Sequence, residues 1–181
     1  TYSSSEGNDP AAGIKVNGGA FEHNIIHGNH SSSGRPLASG LFMKNPDASN
    51  NILYNNTGHS YALFFDDYWS SGDDVTDNII ADGATYFDGT EIKGSIKNNI
   101  FAGGVAGQLQ LASNSTEFTK NAILNGSDTG LRINGVGQDY ALNQTVYFSK
   151  NLFSGNTTTS SASSGYGSYL EHHTQNSGQT Y

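Results

Sequence analysis

An asparagine followed by two apolar residues recurs along the chain, as Asn24-Ile25-Ile26, Asn51-Ile52-Leu53, Asn78-Ile79-Ile80, Asn99-Ile100-Phe101, Asn121-Ala122-Ile123 and Asn151-Leu152-Phe153. The intervals are 27, 27, 21, 22 and 30 residues. Ahead of each motif lies a second element, in which apolar and polar positions mostly alternate. These elements are Gly13-Ile14-Lys15-Val16, Gly40-Leu41-Phe42-Met43, Tyr61-Ala62-Leu63-Phe64-Phe65, Glu91-Ile92-Lys93, Gln108-Leu109-Gln110-Leu111 and Leu131-Arg132-Ile133. A period of two predicts half-buried strands, and no stretch keeps the 3.6-residue period of an amphipathic helix over three turns. Gly and Asn interrupt the pattern every ten residues or so, which predicts short strands joined by tight turns. Self-similarity at this spacing predicts stacked repeats, each too small to bury its apolar face alone. The predicted fold is therefore all-β, a single solenoid domain over residues 1–181 with about six to seven coils.

The asparagine column has a structural explanation. In a parallel stack, equivalent side-chain amides lie one strand spacing apart, roughly 4.8 Å, and can hydrogen-bond as a ladder. Asparagine also tolerates the left-handed backbone of a sharp corner. The expectation is that these residues build corners and do no chemistry.

With its Asn-Ile-hydrophobic repeats the chain, from about Gly13 to Asn156, resembles the pectate-lyase-like superfamily of right-handed parallel β-helices. The resemblance implies a groove along one face of the stack and a secreted or cell-surface protein that meets polysaccharide. It does not select among glycoside hydrolases, polysaccharide lyases and non-catalytic adhesins or tailspikes, because fold does not fix reaction. No amphipathic helix or charged edge strand is visible to cap either end, so self-association through uncapped ends, or membership of a larger chain, is expected. Residues 157–168, rich in Ser, Thr, Ala and Gly, predict a loop or tether.

Charge narrows the partners. Only 13% of residues are charged, the formal net charge is −8, and no run of Lys or Arg occurs, so nucleic acid is not an expected partner. No apolar stretch approaches the roughly 18 residues of a membrane-spanning helix. The chain has 0 cysteines, which excludes disulfides and thiolate chemistry.

Candidate chemistry begins in the segment Phe64-Phe65-Asp66-Asp67-Tyr68-Trp69, continuing to Asp73, Asp74 and Asp77. Glycoside hydrolysis needs two carboxyl groups, one protonated and one ionised, and Asp66 and Asp67 are the candidates, with Tyr68 and Trp69 as a platform for a sugar ring. The same oxygen-rich segment suits a calcium ion held by Asp73, Asp74 and Asp77, or simply caps turns. A second set is the outward column Lys15, Phe42, Phe64, Lys93, Gln110 and Arg132, flanked two residues on by Asn17, Lys44, Asp66 and Asn134. Lys93 or Arg132 can act as the base of a polysaccharide lyase beside a calcium-neutralised uronate. In a hydrolase they orient substrate, together with Lys15, Lys44, Gln110 and Asn134.

Overall fold

Each asparagine motif forms a three-residue strand between two left-handed corners. Positive φ falls on His23, Asn50, Asp77, Asn98, Lys120 and Lys150, and again five residues on at Gly28, Asn55, Asp82, Gly103, Asn125 and Gly155. Glycine, asparagine and aspartate hold most of these places because the left-handed region disfavours a Cβ, by about 1–2 kcal/mol for other residues. The first corner residue is the one before each ladder asparagine, which corrects the expectation that the ladder residue itself makes the turn. At the second corner Gly103 (φ 122°) has no alternative: an added Cβ would lie 2.7 Å from the Gly83 carbonyl oxygen.

The computed structural model describes residues 13–31, 38–58, 61–66, 74–88, 94–107, 116–126, 131–136, 146–157 and 168–173. In chain order its strands are β1 (Ile14–Glu22), β2 (Ile25–His27), β3 (His30–Ser31), β4 (Ala38–Ser49), β5 (Ile52–Tyr54) and β6 (Thr57–Gly58). There follow β7 (Tyr61–Asp66), β8 (Val75–Thr76), β9 (Ile79–Ala81), β10 (Thr85–Asp88), β11 (Ser95–Lys97) and β12 (Ile100–Ala102). The last are β13 (Val105–Gly107), β14 (Thr116–Thr119), β15 (Ala122–Leu124), β16 (Leu131–Val136), β17 (Val146–Ser149), β18 (Leu152–Ser154) and β19 (Ser168–His173). No helix occurs among the described residues, and none there is long and apolar enough to cross a membrane.

Among the described residues all pairing is parallel. The asparagine-motif strands form a six-stranded sheet in the order β18-β15-β12-β9-β5-β2. The larger sheet is two columns joined where the long strands run through both: β4 pairs with β7 through Leu41–Lys44 and with β8 through Ala48 and Ser49. The junction in β4 carries Pro46, opposite Gly19 of β1. One column continues β7-β10-β13-β16-β19 and the other β8-β11-β14-β17, while β3 and β6 form a short pair of their own. The chain is thus all-β, and each passage lays its strands beside those of the passage before.

The three columns share one core. Ile26, Leu53, Ile80, Phe101 and Ile123 from the six-stranded sheet meet Ala48, Val75, Ile96 and Phe118 from the second column and Leu41, Met43 and Leu63 from the first. Alternation on a three-residue strand sends its middle residue inward and its flanks outward. One core position breaks the apolar rule, because Thr85 is fully buried and its Oγ1 has no hydrogen-bond partner. An unpaired buried hydroxyl is costly, so Thr85→Val is expected to raise the unfolding free energy by about 1 kcal/mol. A denaturant midpoint that moves upward at constant slope is the corresponding measurement.

The ladder runs through the middle of this stack. Asn78 donates from N–H and from Nδ2 to Asn99 Oδ1 at 2.9 and 3.0 Å, and Asn99 does the same to Asn121 Oδ1 at 3.0 and 3.1 Å. The second Nδ2 proton of Asn99 goes to the Val75 carbonyl at 2.7 Å. A carboxamide has two donors and two acceptor lone pairs, and this arrangement uses all four. The same geometry holds from Asn24 through Asn51 at one end to Asn121 and Asn151 at the other. Asn51, Asn78, Asn99 and Asn121 are buried, as a fully satisfied amide can be.

Candidate functional site

The first column places the site. Register matches Lys15 with Phe42, Phe42 with Phe64 and Phe64 with Tyr86, and two residues on it matches Asn17 with Lys44, Lys44 with Asp66 and Asp66 with Asp88. Parallel partners sit one strand apart, roughly 4.8 Å between backbones. The row therefore reads Asn17, Lys44, Asp66, Asp88, with two acidic residues adjacent and a lysine on the far side of Asp66.

The row continues past β13. Val105 pairs with Thr85 and with Leu131, so Arg132 holds the place of Phe64 and Tyr86, and Asn134 that of Asp66 and Asp88. On β19, Tyr169 partners Arg132 and Glu171 partners Asn134. Asn17, Lys44 and Asp66 thus share one row, which Asp88 joins, while Asn134 and Glu171 pair with each other further along the column.

Two strands of this column were not anticipated. On the passage expected to present Glu91-Ile92-Lys93, the strand in register is Thr85–Asp88, and on the next passage it is Val105–Gly107 rather than residues 108–111. Lys93 and Gln110 lie outside the described residues, as do Asp67, Tyr68, Trp69 and Asp73. Asp88 was legible in principle, because Tyr86-Phe87-Asp88 repeats Phe64-Phe65-Asp66 after 22 residues.

Of the column's expected outward residues, Lys15 is exposed, whereas Phe42 is buried with Ala38 and packs beside Tyr61. Phe42 is therefore not an open contact surface.

Within the acidic segment that follows Asp66, the described residues Asp74 and Asp77 do structural work. Asp74 Oδ1 accepts hydrogen bonds from Ser95 N–H at 2.8 Å and Ser95 Oγ at 2.7 Å, and Asp74 N–H donates to Asp47 Oδ1 at 2.9 Å. Asp47, Asp74 and Ser95 thus form a short exposed ladder at the entrance to the second column. Asp77 is one of the left-handed corners, with φ 58°. Among the described residues no three His, Cys, Asp or Glu side chains come together as a metal site.

The outer face of the six-stranded sheet is apolar. Ile25, Ile52, Ile79, Ile100 and Leu152 are exposed along one register row, each paired to its neighbour directly or through Ala122. Beside this row the His27 and Tyr54 rings stack with centroids 4.8 Å apart and planes 6° from parallel. His23 is a corner residue, and His30 Nδ1 lies 3.2 Å from Thr57 Oγ1, so the three histidines have separate places.

No known protein family, curated protein or solved structure matches this chain. The functional reading therefore rests on the register of the first column. That column gathers three carboxyl residues, Asp66, Asp88 and Glu171, with a lysine and two asparagines, from chain positions as far apart as Asn17 and Glu171.

Proposed function

We propose that the chain is a right-handed parallel β-helix of the pectate-lyase-like kind, and that it acts outside the cytoplasm as a glycoside hydrolase on a polysaccharide. Asp66 and Asp88 are the carboxyl pair of this reading. The observation that carries it is their in-register pairing on β7 and β10. Backbones roughly 4.8 Å apart suit carboxyl groups about 5–5.5 Å apart, the separation of retaining enzymes, better than the 6.5–9.5 Å that leaves room for a water in inverting ones.

Lys44 assigns the roles. In register it partners Asp66 and not Asp88, which sets the two carboxyl residues apart. Asp66 is then the nucleophile that attacks the anomeric carbon. Asp88 gives its proton to the departing glycosidic oxygen and, in the second half-reaction, takes a proton from the water that releases the sugar. Asn17, Lys44, Asn134 and Glu171 are places along the same column from which neighbouring sugar rings can be hydrogen-bonded. The lyase reading, with Lys93 or Arg132 as base and calcium on the uronate, has no comparable juxtaposition among the described residues.

The test is hydrolysis of a panel of neutral and acidic polysaccharides, with product anomers followed by NMR. Retention of configuration is expected, and Asp66→Asn and Asp88→Asn are each expected to lower kcat roughly 10²–10⁴-fold with little change in KM. Wild-type turnover in both variants overturns the assignment. Tight binding of a polysaccharide without cleavage would instead identify a non-catalytic glycan-binding surface.

A further inference from the structure

The outer face of the six-stranded sheet lies apart from the first column and its carboxyl pair. Ile25, Ile52, Ile79, Ile100 and Leu152 are each more than a third exposed along it, and Ala122 is the one small residue in their row. All six passages across the face are described from corner to corner, over 23–28, 50–55, 77–82, 98–103, 120–125 and 150–155, so no undescribed stretch lies within it. Ile52, Ile79 and Ile100 also have a paired strand on both sides, which makes their exposure independent of what adjoins either end of the stack. A continuous apolar row of this kind marks an interaction surface, whereas single exposed apolar residues do not. Its rim is graded in charge. On the first-corner side the six passages carry, in stack order, Glu22, Asn50, Asp77, Lys97, Lys120 and Lys150, so the carboxylates fall in the first half and the amines in the second. Lys97 is already paired with Glu117, while Glu22, Asp77, Lys120 and Lys150 are exposed.

We infer that this face docks a second copy of the chain, turned over about a twofold axis parallel to the strands. That rotation keeps the strands aligned, sets first corners beside first corners and reverses the stack order, so the first passage meets the sixth of the second copy. Aligned sheets pack roughly 10 Å apart with interdigitating side chains. Ile79 then meets Ile100 of the second copy, and Ile52 fills the low place over Ala122. At the rim Glu22 meets Lys150 and Asn50 meets Lys120, so each half of the graded edge faces its opposite. A twofold axis along the stack would instead match each passage with itself and set Asp77 against Asp82, two carboxylates at the two corners of one passage. Strand spacings of roughly 4.8 Å and a rise of roughly 3.3 Å per residue give a footprint of about 500 Å² per copy, at the low end for specific interfaces, so the dimer is a reversible one. A twofold contact closes at two copies, whereas association through the ends of the stack would grow into open chains.

The experiment is sedimentation velocity of the whole chain over a wide range of concentration. A reversible monomer–dimer equilibrium with no larger species is expected. Ile79→Glu, at an exposed position whose change leaves the core intact, should raise the dimer Kd about tenfold or more, the effect of removing a central anchor. Asn50→Asp should do the reverse and lower Kd about three- to tenfold at low salt, because symmetry gives it two new carboxylate–lysine pairs per dimer. That gain should vanish when Lys120→Ser is added, and it should fade at high salt. A gain of affinity does not depend on whether a disruptive variant folds. A monomer at every concentration overturns the inference, as does a dimer indifferent to Ile79→Glu. Assembly that grows beyond two copies also overturns it, by giving association to the ends of the stack, and an Asn50→Asp gain that survives the loss of Lys120 overturns the reversed pairing.

Discussion

Replacing Asn99 by alanine is expected to lower the unfolding free energy by about 3–5 kcal/mol, because it strands two buried donors at about 1–3 kcal/mol each. The stranded groups are the N–H and Nδ2–H of Asn78; in the same step the Val75 carbonyl loses the Asn99 Nδ2 donor and Asn121 Oδ1 keeps only the backbone N–H of residue 99. Asn99→Asp is the sharper comparison. It preserves shape and volume, but it puts an acceptor oxygen where Nδ2 faces two acceptors, and it buries a charge at a position 0% exposed. Aspartate should therefore destabilise at least as much as alanine, an order that side-chain volume alone would reverse. Equilibrium denaturation of the two variants at neutral pH reads it directly.

Ile80→Ala should cost about 2–5 kcal/mol, whereas Ile79→Ala, one residue away and chemically the same change, should cost under about 1 kcal/mol. Ile80 is 0% exposed in the shared core, and Ile79 is 40% exposed on the outer face of the six-stranded sheet. The contrast follows from a side-chain period of two, so equal effects would mean that this strand does not present opposite faces to core and solvent. Chemical denaturation with a common slope for both variants supplies the numbers.

The six-stranded sheet could be read from the chain because every one of its strands is the same object. The two corners stand five positions apart in each passage, and a carboxamide, with two donors and two acceptor lone pairs, can both donate and accept along a column. Asn24, Asn51, Asn78, Asn99, Asn121 and Asn151 therefore mark their positions whatever the intervening loops do. The corner itself was misplaced by one residue, because lysine at 120 and 150 and histidine at 23 do not advertise a left-handed backbone. In those passages the ladder, not local preference, holds the turn.

The first column was harder to read because its strands lack a uniform marker. Strand β10 opens with a threonine at a core position and β13 is only Val105-Ala106-Gly107, so alternation pointed instead to residues 91–93 and 108–111. That error hid Asp88. The dense acidic run lies between Asp66 and Asp77, while the pair that shares a row is 22 positions apart and joined only by register. Asp74 and Asp77 have local duties, as an acceptor for Ser95 and as a corner, which the acidic run alone does not reveal. Asn134 is readable as a row member because Leu131-Arg132-Ile133-Asn134 keeps a clean apolar alternation, and Lys44 because it follows the apolar run Leu41-Phe42-Met43 at the same offset.

Register underlies both the ladder and the carboxyl pair, and side-chain amide exchange tests it most directly. The Nδ2 protons of Asn51, Asn78, Asn99 and Asn121 should exchange far more slowly by NMR than those of the exposed corner residues Asn50, Asn55 and Asn98. Cross-relaxation between the Asn78 and Asn99 amides, 21 residues apart, should accompany this protection. Uniformly fast exchange in all seven residues would contradict the stacked ladder and, with it, the row that brings Asp66 beside Asp88.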